Sequence, residues 1–323
     1  MTAAVVLFCY PAAVGWLAPA PLARLTASGA APRLAIAAWL AAIGSVLLTA
    51  LAAISVLIRD TVTGWPGFAR NFCQTVSDSN CPPQVYRSAL FELSLAAATV
   101  LVLSVAVFVT WRFARRFRRV RRRTQAHGEA ARITGKRFTG QPIPAYATAV
   151  VLSADRPAVY CVPGRPATIV LTTGALSILG PAELRAVLAH ERAHLTGRHH
   201  LLTGLSGCLL PIVPVFKRGA AEIARLVELR ADDVAARHGD RTTLARALVT
   251  MATGAAFPVP SRALAATGHA PVGHADVSTG AVTARLHRLL SSVPRAHRLW
   301  QATALTGVIV ILTALPALLT AVA

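Results

Sequence analysis

"VLAHERAHLTGRHH", residues 187–200, decides how this chain is read. Placed on a helix, His190 and His194 are one turn apart and project from one face, so both imidazoles can reach a single ion. Glu191 sits about 100° further round, close enough to approach a water on that ion without entering its coordination sphere. Two neutral nitrogen ligands leave zinc electron-poor, so a water it activates loses a proton near neutral pH to the neighbouring glutamate. The bland alternative is a histidine-rich solvated face. With this chain's His and Glu content the pattern would arise by chance in on the order of one in two hundred such chains.

A helix here is expected on local grounds. "GPAELRAVLAHERAHLTG" has Pro181 at a first-turn position, Glu183 near the positive helix end, and apolar residues at Leu184, Val187, Leu188 and Leu195 before Gly197 stops it. Two histidines are one ligand short of a usual zinc sphere. The next helical stretch, from about Ala220 to Gly239, contains "VELRADDVAA". Glu228, 34 residues after His194, can complete a His, His, Glu set. Asp232, four positions later on the same face, can accept a hydrogen bond from a ligating imidazole and fix its tautomer. His199 and His200 lie beyond the expected helix end and are read as outside the metal sphere. His269 and His274 fall in a Gly- and Pro-bearing loop and are read as solvated.

The surroundings of the motif are those of a membrane protein. Of 323 residues, 54% are hydrophobic and 14% charged, which argues against an ordinary soluble globule. Four stretches are long and apolar enough to cross a bilayer, at about residues 3–22, 34–58, 90–111 and 300–323. The first lacks the positive n-region of a secretory signal and is read as an anchor. "RFARRFRRVRRR", residues 112–123, puts eight arginines in twelve positions directly after the third stretch. Such a run belongs on the cytoplasmic side, against anionic headgroups. It lacks the aromatic interleaving of a base-stacking surface, so the net charge of +20 is not taken to mean nucleic-acid binding.

These signals predict a mainly α protein with four spans and an α+β zincin-like domain between the third and fourth. Residues 1–111 form a membrane domain with an extracellular loop at 59–87, residues 112–299 a cytoplasmic catalytic domain, and residues 300–323 the last span. Cys73 and Cys81 fall in the outer loop, where a disulfide can persist. Cys9, Cys161 and Cys208 read as small core residues. Short strands are expected at residues 145–152, 158–162 and 168–172, with further helices from "DRTTLARALVTMA" and "VTARLHRLLSS". The apolar connector at residues 201–216, broken by Pro211 and Pro214, admits three readings: a core helix, a surface-lying segment or a hairpin entering the bilayer.

"AVLAHERAH" followed by "ELRAD" resembles the gluzincin pattern, HExxH with a downstream ExxAD, of two membrane families: the BlaR1/MecR1-type peptidases (M56) and the HtpX/Ste24-type peptidases (M48). Three spans before the motif and one after are similar to the M56 layout, whereas HtpX-like chains place two before it and more within or after. "VTARLHRLL", with Arg285, also resembles the M56 tail. The resemblance implies a zinc metalloendopeptidase at the cell membrane. His190, His194 and Glu228 would hold Zn2+, Glu191 would be the general base and Asp232 a supporting residue. Its partners would be the lipid bilayer and a protein or peptide substrate, a cytoplasmic transcriptional repressor in the M56 case. BlaR1 itself continues into an extracellular penicillin-binding domain where this sequence ends at Ala323, so direct β-lactam sensing is not expected. M48-type quality control of membrane proteins, or a non-catalytic receptor, are the alternative roles. The strand "ATIVLTT" just before the catalytic helix is expected to be the sheet edge on which an extended peptide would pair.

Overall fold

The computed structural model describes residues 2–77, 83–140, 147–209, 213–254, 275–291 and 294–322. The chain is mainly helical, with one four-stranded sheet. Its elements run α1 (Thr2–Leu17), α2 (Pro19–Thr26), α3 (Pro32–Ser77), α4 (Pro83–Thr134), β1 (Lys136–Arg137), β2 (Ala147–Leu152), β3 (Val159–Val162), β4 (Ala167–Thr172), α5 (Thr173–Ile178), α6 (Pro181–Thr196), α7 (His199–Cys208), α8 (Pro214–Ala235), α9 (Arg241–Gly254), α10 (Ala275–Leu290) and α11 (Arg295–Val322).

Among the described residues three helices are long and apolar enough to cross a membrane, at Pro32–Thr63, Leu93–Thr134 and Arg295–Leu319. The stretch expected to be a first span is instead divided at Ala18 into α1 and α2. Tyr10 and Ser45 share a hydrogen bond of 2.9 Å, so α1 packs on α3 although it is only 16 residues long. Within the expected outer loop at 59–87 the chain is largely helical. α3 continues to Ser77 and α4 starts at Pro83, because bilayer thickness limits an apolar stretch but not the helix that carries it. Cys81 lies outside the described residues and the side chain of Cys73 is not described, so their pairing lies outside the described residues too. Cys161 and Cys208 are buried as expected, but Cys9 is exposed.

The sheet order is β1-β2-β4-β3, with β2 and β4 parallel and both outer pairs antiparallel. β4 is therefore an interior strand, which overturns its expected edge position. The reason is legible in its composition: all six residues are buried, because both faces of β4 are covered. Ile169 and Leu171 pack with Cys161 and Ala149 against Leu188 and Leu184 of α6, while Val170 packs with Val150 and Val162 against Ala131 of α4. The edge nearer the catalytic helix is β3.

Helix α6 starts and ends where the sequence places it. The Gly180 N–H donates to Glu183 Oε2 at 3.0 Å, which satisfies one of the donors orphaned at a helix start. α8 begins six residues before the expected Ala220, with Pro214 at the first turn, where a missing N–H costs nothing. It packs along α3. A Cβ at Gly219 would meet Trp39 Cε3 at 3.2 Å and Ile43 Cδ1 at 3.1 Å, so glycine lets the two backbones approach. Two turns later Arg225 donates to the carbonyls of Thr26 and Ala27 at 2.8 and 3.3 Å. The start of α8 thus lies beside a candidate span, with Val215 and Phe216 buried against it.

Leu188 is fully buried between α6 and the sheet. Leu188→Ala is expected to cost about 2–5 kcal/mol. Denaturant unfolding of the detergent-solubilised protein measures this, and an unchanged midpoint would contradict the packing of α6 on the sheet.

Candidate metal centre

Each side chain of the centre is delivered by a different packing decision. α6 lies on the sheet through Leu184 and Leu188, which turns His190 and His194 toward α8. α8 is fixed by burying Ile223, Leu226 and Val227 with α3, which leaves Glu228 facing α6. The Nε2 atoms of His190 and His194 are 3.1 Å apart. His190 Nε2 is 3.4 Å from Glu228 Oε2, and His194 Nε2 is 3.4 Å from Glu228 Oε1. Ligands at about 2.0–2.1 Å from a tetrahedral zinc are separated by roughly 3.3 Å, close to the nitrogen–nitrogen distance and to each nitrogen's approach to its own carboxylate oxygen. The donor set, two nitrogens and a carboxylate oxygen, also suits zinc. Both histidines are buried, whereas the Glu228 side chain keeps 38% of its surface open, which leaves one side of the centre accessible.

The outer nitrogens are held too. His190 Nδ1 lies 3.0 Å from Asp232 Oδ1, as the four-residue spacing from Glu228 suggests. Asp232 is clamped in turn by Arg285 of α10, whose Nε and Nη2 donate to Oδ2 and Oδ1 at 2.9 and 2.7 Å. Arg285 Nη1 also reaches Glu228 Oε2 at 3.2 Å. One turn on, Arg288 grips Asp233 with two bonds of 2.9 and 2.8 Å, so α10 is bound to α8 at two successive positions. With a divalent ion in place, the three carboxylates (Glu191, Glu228, Asp232) and the one guanidinium bring the net charge of the centre to zero.

His194 is oriented by a residue that the sequence reading set aside. His199 Nδ1 is 3.2 Å from His194 Nδ1, and His199 is buried. Arg198, in the left-handed region at φ 49°, turns the chain sharply between α6 and α7 and brings His199 back over the helix it has just left. Gly197 makes room: a Cβ there would stand 2.3 Å from His199 Nε2. His200, its neighbour, faces a separate cavity lined by α4. His269 and His274 lie outside the described residues.

Glu191 is backed by the edge strand. Burial raises its carboxyl to about 6, while the charge on His190 and hydrogen bonds from the thiol and backbone N–H of Cys161 oppose the rise. A base poised near neutral pH is suited to taking and returning a proton. The same carboxylate, with burial, pushes the Cys161 thiol well up, so it stays a neutral donor.

A family model described as Peptidase family M48 matches residues 114–221, roughly a third of the chain. The match contains His190, Glu191 and His194 and stops short of Glu228. No curated protein and no solved structure matches. The protein is a zinc metallopeptidase. Of the two families the motif resembles, the one matched is M48, not M56.

Two outcomes follow for the metal. Burial would lower the pKa of the His190 imidazolium, but the carboxylates of Asp232 and Glu228 raise it from 6.5 to about 10 in the metal-free protein. Below that value His190 holds a proton that zinc must displace. Zinc affinity should therefore weaken about tenfold per unit of falling pH around neutrality, with about one proton released per ion. Without zinc, the stability this proton confers is full below 6.5 and lost as pH rises through about 10. Titration calorimetry in buffers of differing ionisation heat reads the proton count; no release would refute the arrangement. His199→Ala should weaken zinc binding about ten- to hundredfold with the fold intact, measured by chelator competition. Wild-type affinity in that variant would exclude a positioning role.

Proposed function

We propose that this protein is a membrane-embedded zinc endopeptidase of the HtpX/Ste24 kind, cutting membrane proteins or chains presented at the cytoplasmic face. The observation that carries it is the convergence of His190, His194 and Glu228 next to Glu191, within and just beyond a segment that matches family M48. The arrangement of membrane helices supports the same reading. Among the described residues two candidate spans precede the motif, as in that layout, and α8, which carries Glu228, lies beside α3. The arginine run at 112–123 supports a cytoplasmic catalytic domain.

In this reading His190, His194 and Glu228 hold zinc, which when bound supplies Lewis acidity to the attacking water and the scissile carbonyl. Asp232 and His199 fix the orientation of the two imidazoles, and Arg285 holds both Asp232 and Glu228. Glu191 accepts the proton of the attacking water and returns it to the leaving amine. An extended substrate pairs with the outer edge of β3, which no strand covers among the described residues, so its backbone sets the register and the flanking side chains select the sequence. β3 fits this role because Cys161, in its middle, touches Glu191.

A second reading keeps the chemistry and changes the substrate to one cytoplasmic regulator, a repressor for instance, as in M56-type signalling. The packing of α1 on α3 favours it, since a third apolar segment before the motif matches that layout.

Glu191→Gln is expected to lower peptide hydrolysis about 10²–10⁴-fold while zinc stays bound. Comparing cytoplasmic and membrane proteomes of cells with the native and Glu191→Gln forms separates the two roles. Accumulation of many unrelated membrane proteins supports quality control, and one or two regulators support signalling. Unchanged proteomes, with equal hydrolysis by both purified forms, would refute the peptidase role of Glu191.

A further inference from the structure

A cavity of about 630 Å³ lies apart from the candidate metal centre, on the face of the sheet that α4 covers. It is bounded by one face of α4, by the turn between β3 and β4, and by the first turns of α7. Three arginines line it, Arg121 and Arg132 from α4 and Arg165 from the β3–β4 turn, against a single acid, Glu129. Arg132 donates through Nη1 to the Pro166 carbonyl at 3.0 Å and to Thr168 Oγ1 at 3.4 Å, which fixes that turn to α4. Neither Arg121 nor Arg165 makes an ion pair with any acid among the described residues. Phe117 and Leu201 add an apolar wall.

The strand leading to this cavity is β3. Cys161 touches Glu191, Val162 already lines the cavity, and Arg165 lies three residues further on. Arg165 stands in the turn just past the end of β3, a few residues of extended chain from Cys161. A peptide running antiparallel to β3 would place residues N-terminal to its scissile bond there.

We propose that this cavity is a specificity subsite for acidic side chains on the N-terminal side of the scissile bond, with Arg121 and Arg165 as its recognition groups. The subsite rests on the peptidase reading above for its register but not for its charge preference. Arg121 and Arg165 are exposed, have no carboxylate partners among the described residues and line one cavity beside an apolar wall, so together they attract carboxylates. The continuity with β3 favours a peptide over the other anionic occupant such a cleft would accept, a phospholipid headgroup.

The full-length Glu191→Gln protein, loaded with zinc in detergent micelles, binds peptides without cutting them and so tests the subsite apart from catalysis. The probes are short fluorescein-labelled peptides carrying a run of Asp, Asn or Lys at the N-terminal or the C-terminal end, read by anisotropy. N-terminal Asp should bind about five- to tenfold more tightly than Asn at low salt, and Lys more weakly than either. Adding Arg121→Glu and Arg165→Glu should invert that order. Arg165→Gln alone, at an exposed turn, should flatten it without disturbing the fold. Equal affinity for all three peptides, a preference confined to the C-terminal end, or an order unchanged by charge reversal would overturn the subsite. So would charge-blind peptide binding together with Arg165-dependent binding to vesicles of phosphatidylglycerol over phosphatidylcholine, which would make the cavity a lipid site. Wild-type enzyme that cuts no peptide, alongside intact acidic preference in the Glu191→Gln form, would count against the peptidase reading and leave the subsite standing.

Discussion

The approach of Glu228 to two histidines on a neighbouring helix is the constraint on which the other elements converge. A carboxylate 3.4 Å from each of two buried imidazole nitrogens is costly unless a cation sits among them or a proton takes its place. The carboxylates accordingly raise the pKa of His190, and a divalent ion held by the same side chains would take the place of that proton. The carboxylates that raise the imidazole's pKa are thus those that draw a divalent ion to the site, and affinity and proton release are two sides of one balance.

That approach is set by elements far from the metal. α6 is aimed by the sheet, through Leu188 and Ile169, while α8 is aimed by α3, through Gly219 against Trp39 and Ile43. Neither helix could hold its ligands alone. α10 closes the arrangement, because Arg285 and Arg288 seize Asp232 and Asp233 on α8 from the other side. A candidate membrane helix therefore braces the helix that carries Glu228, so a disturbance of α3 in the bilayer has a short path to the zinc.

What could be read from the sequence is what obeys a local period. The four-residue spacings His190 to His194 and Glu228 to Asp232 are fixed by helix geometry, and both pairs meet at the site as that geometry demands. The three strands appeared within one or two residues because apolar runs between turn residues have few other solutions. What could not be read depends on pairing or on unusual backbone. The order of the sheet left β4 inside, although its uninterrupted "ATIVLT" is the composition of a strand covered on both faces, a signal that could have been used. His199 returned to His194 only because Arg198 adopts a left-handed conformation, rare for a residue with a side chain and not announced by the sequence. Arg285 reaches Asp232 across 53 positions of chain, beyond any periodic argument. The helices run past the apolar stretches, since apolar length marks where a helix can meet lipid and not where it stops.

If two imidazoles and one carboxylate hold the zinc, Cys161 lies nearby without coordinating it. X-ray absorption at the zinc edge of the purified protein distinguishes these ligand sets. The expected first shell is nitrogen and oxygen only, at about 2.0–2.1 Å, with the outer-ring scattering of two histidines. A sulfur ligand at about 2.3 Å, or scattering from a single histidine, would contradict it.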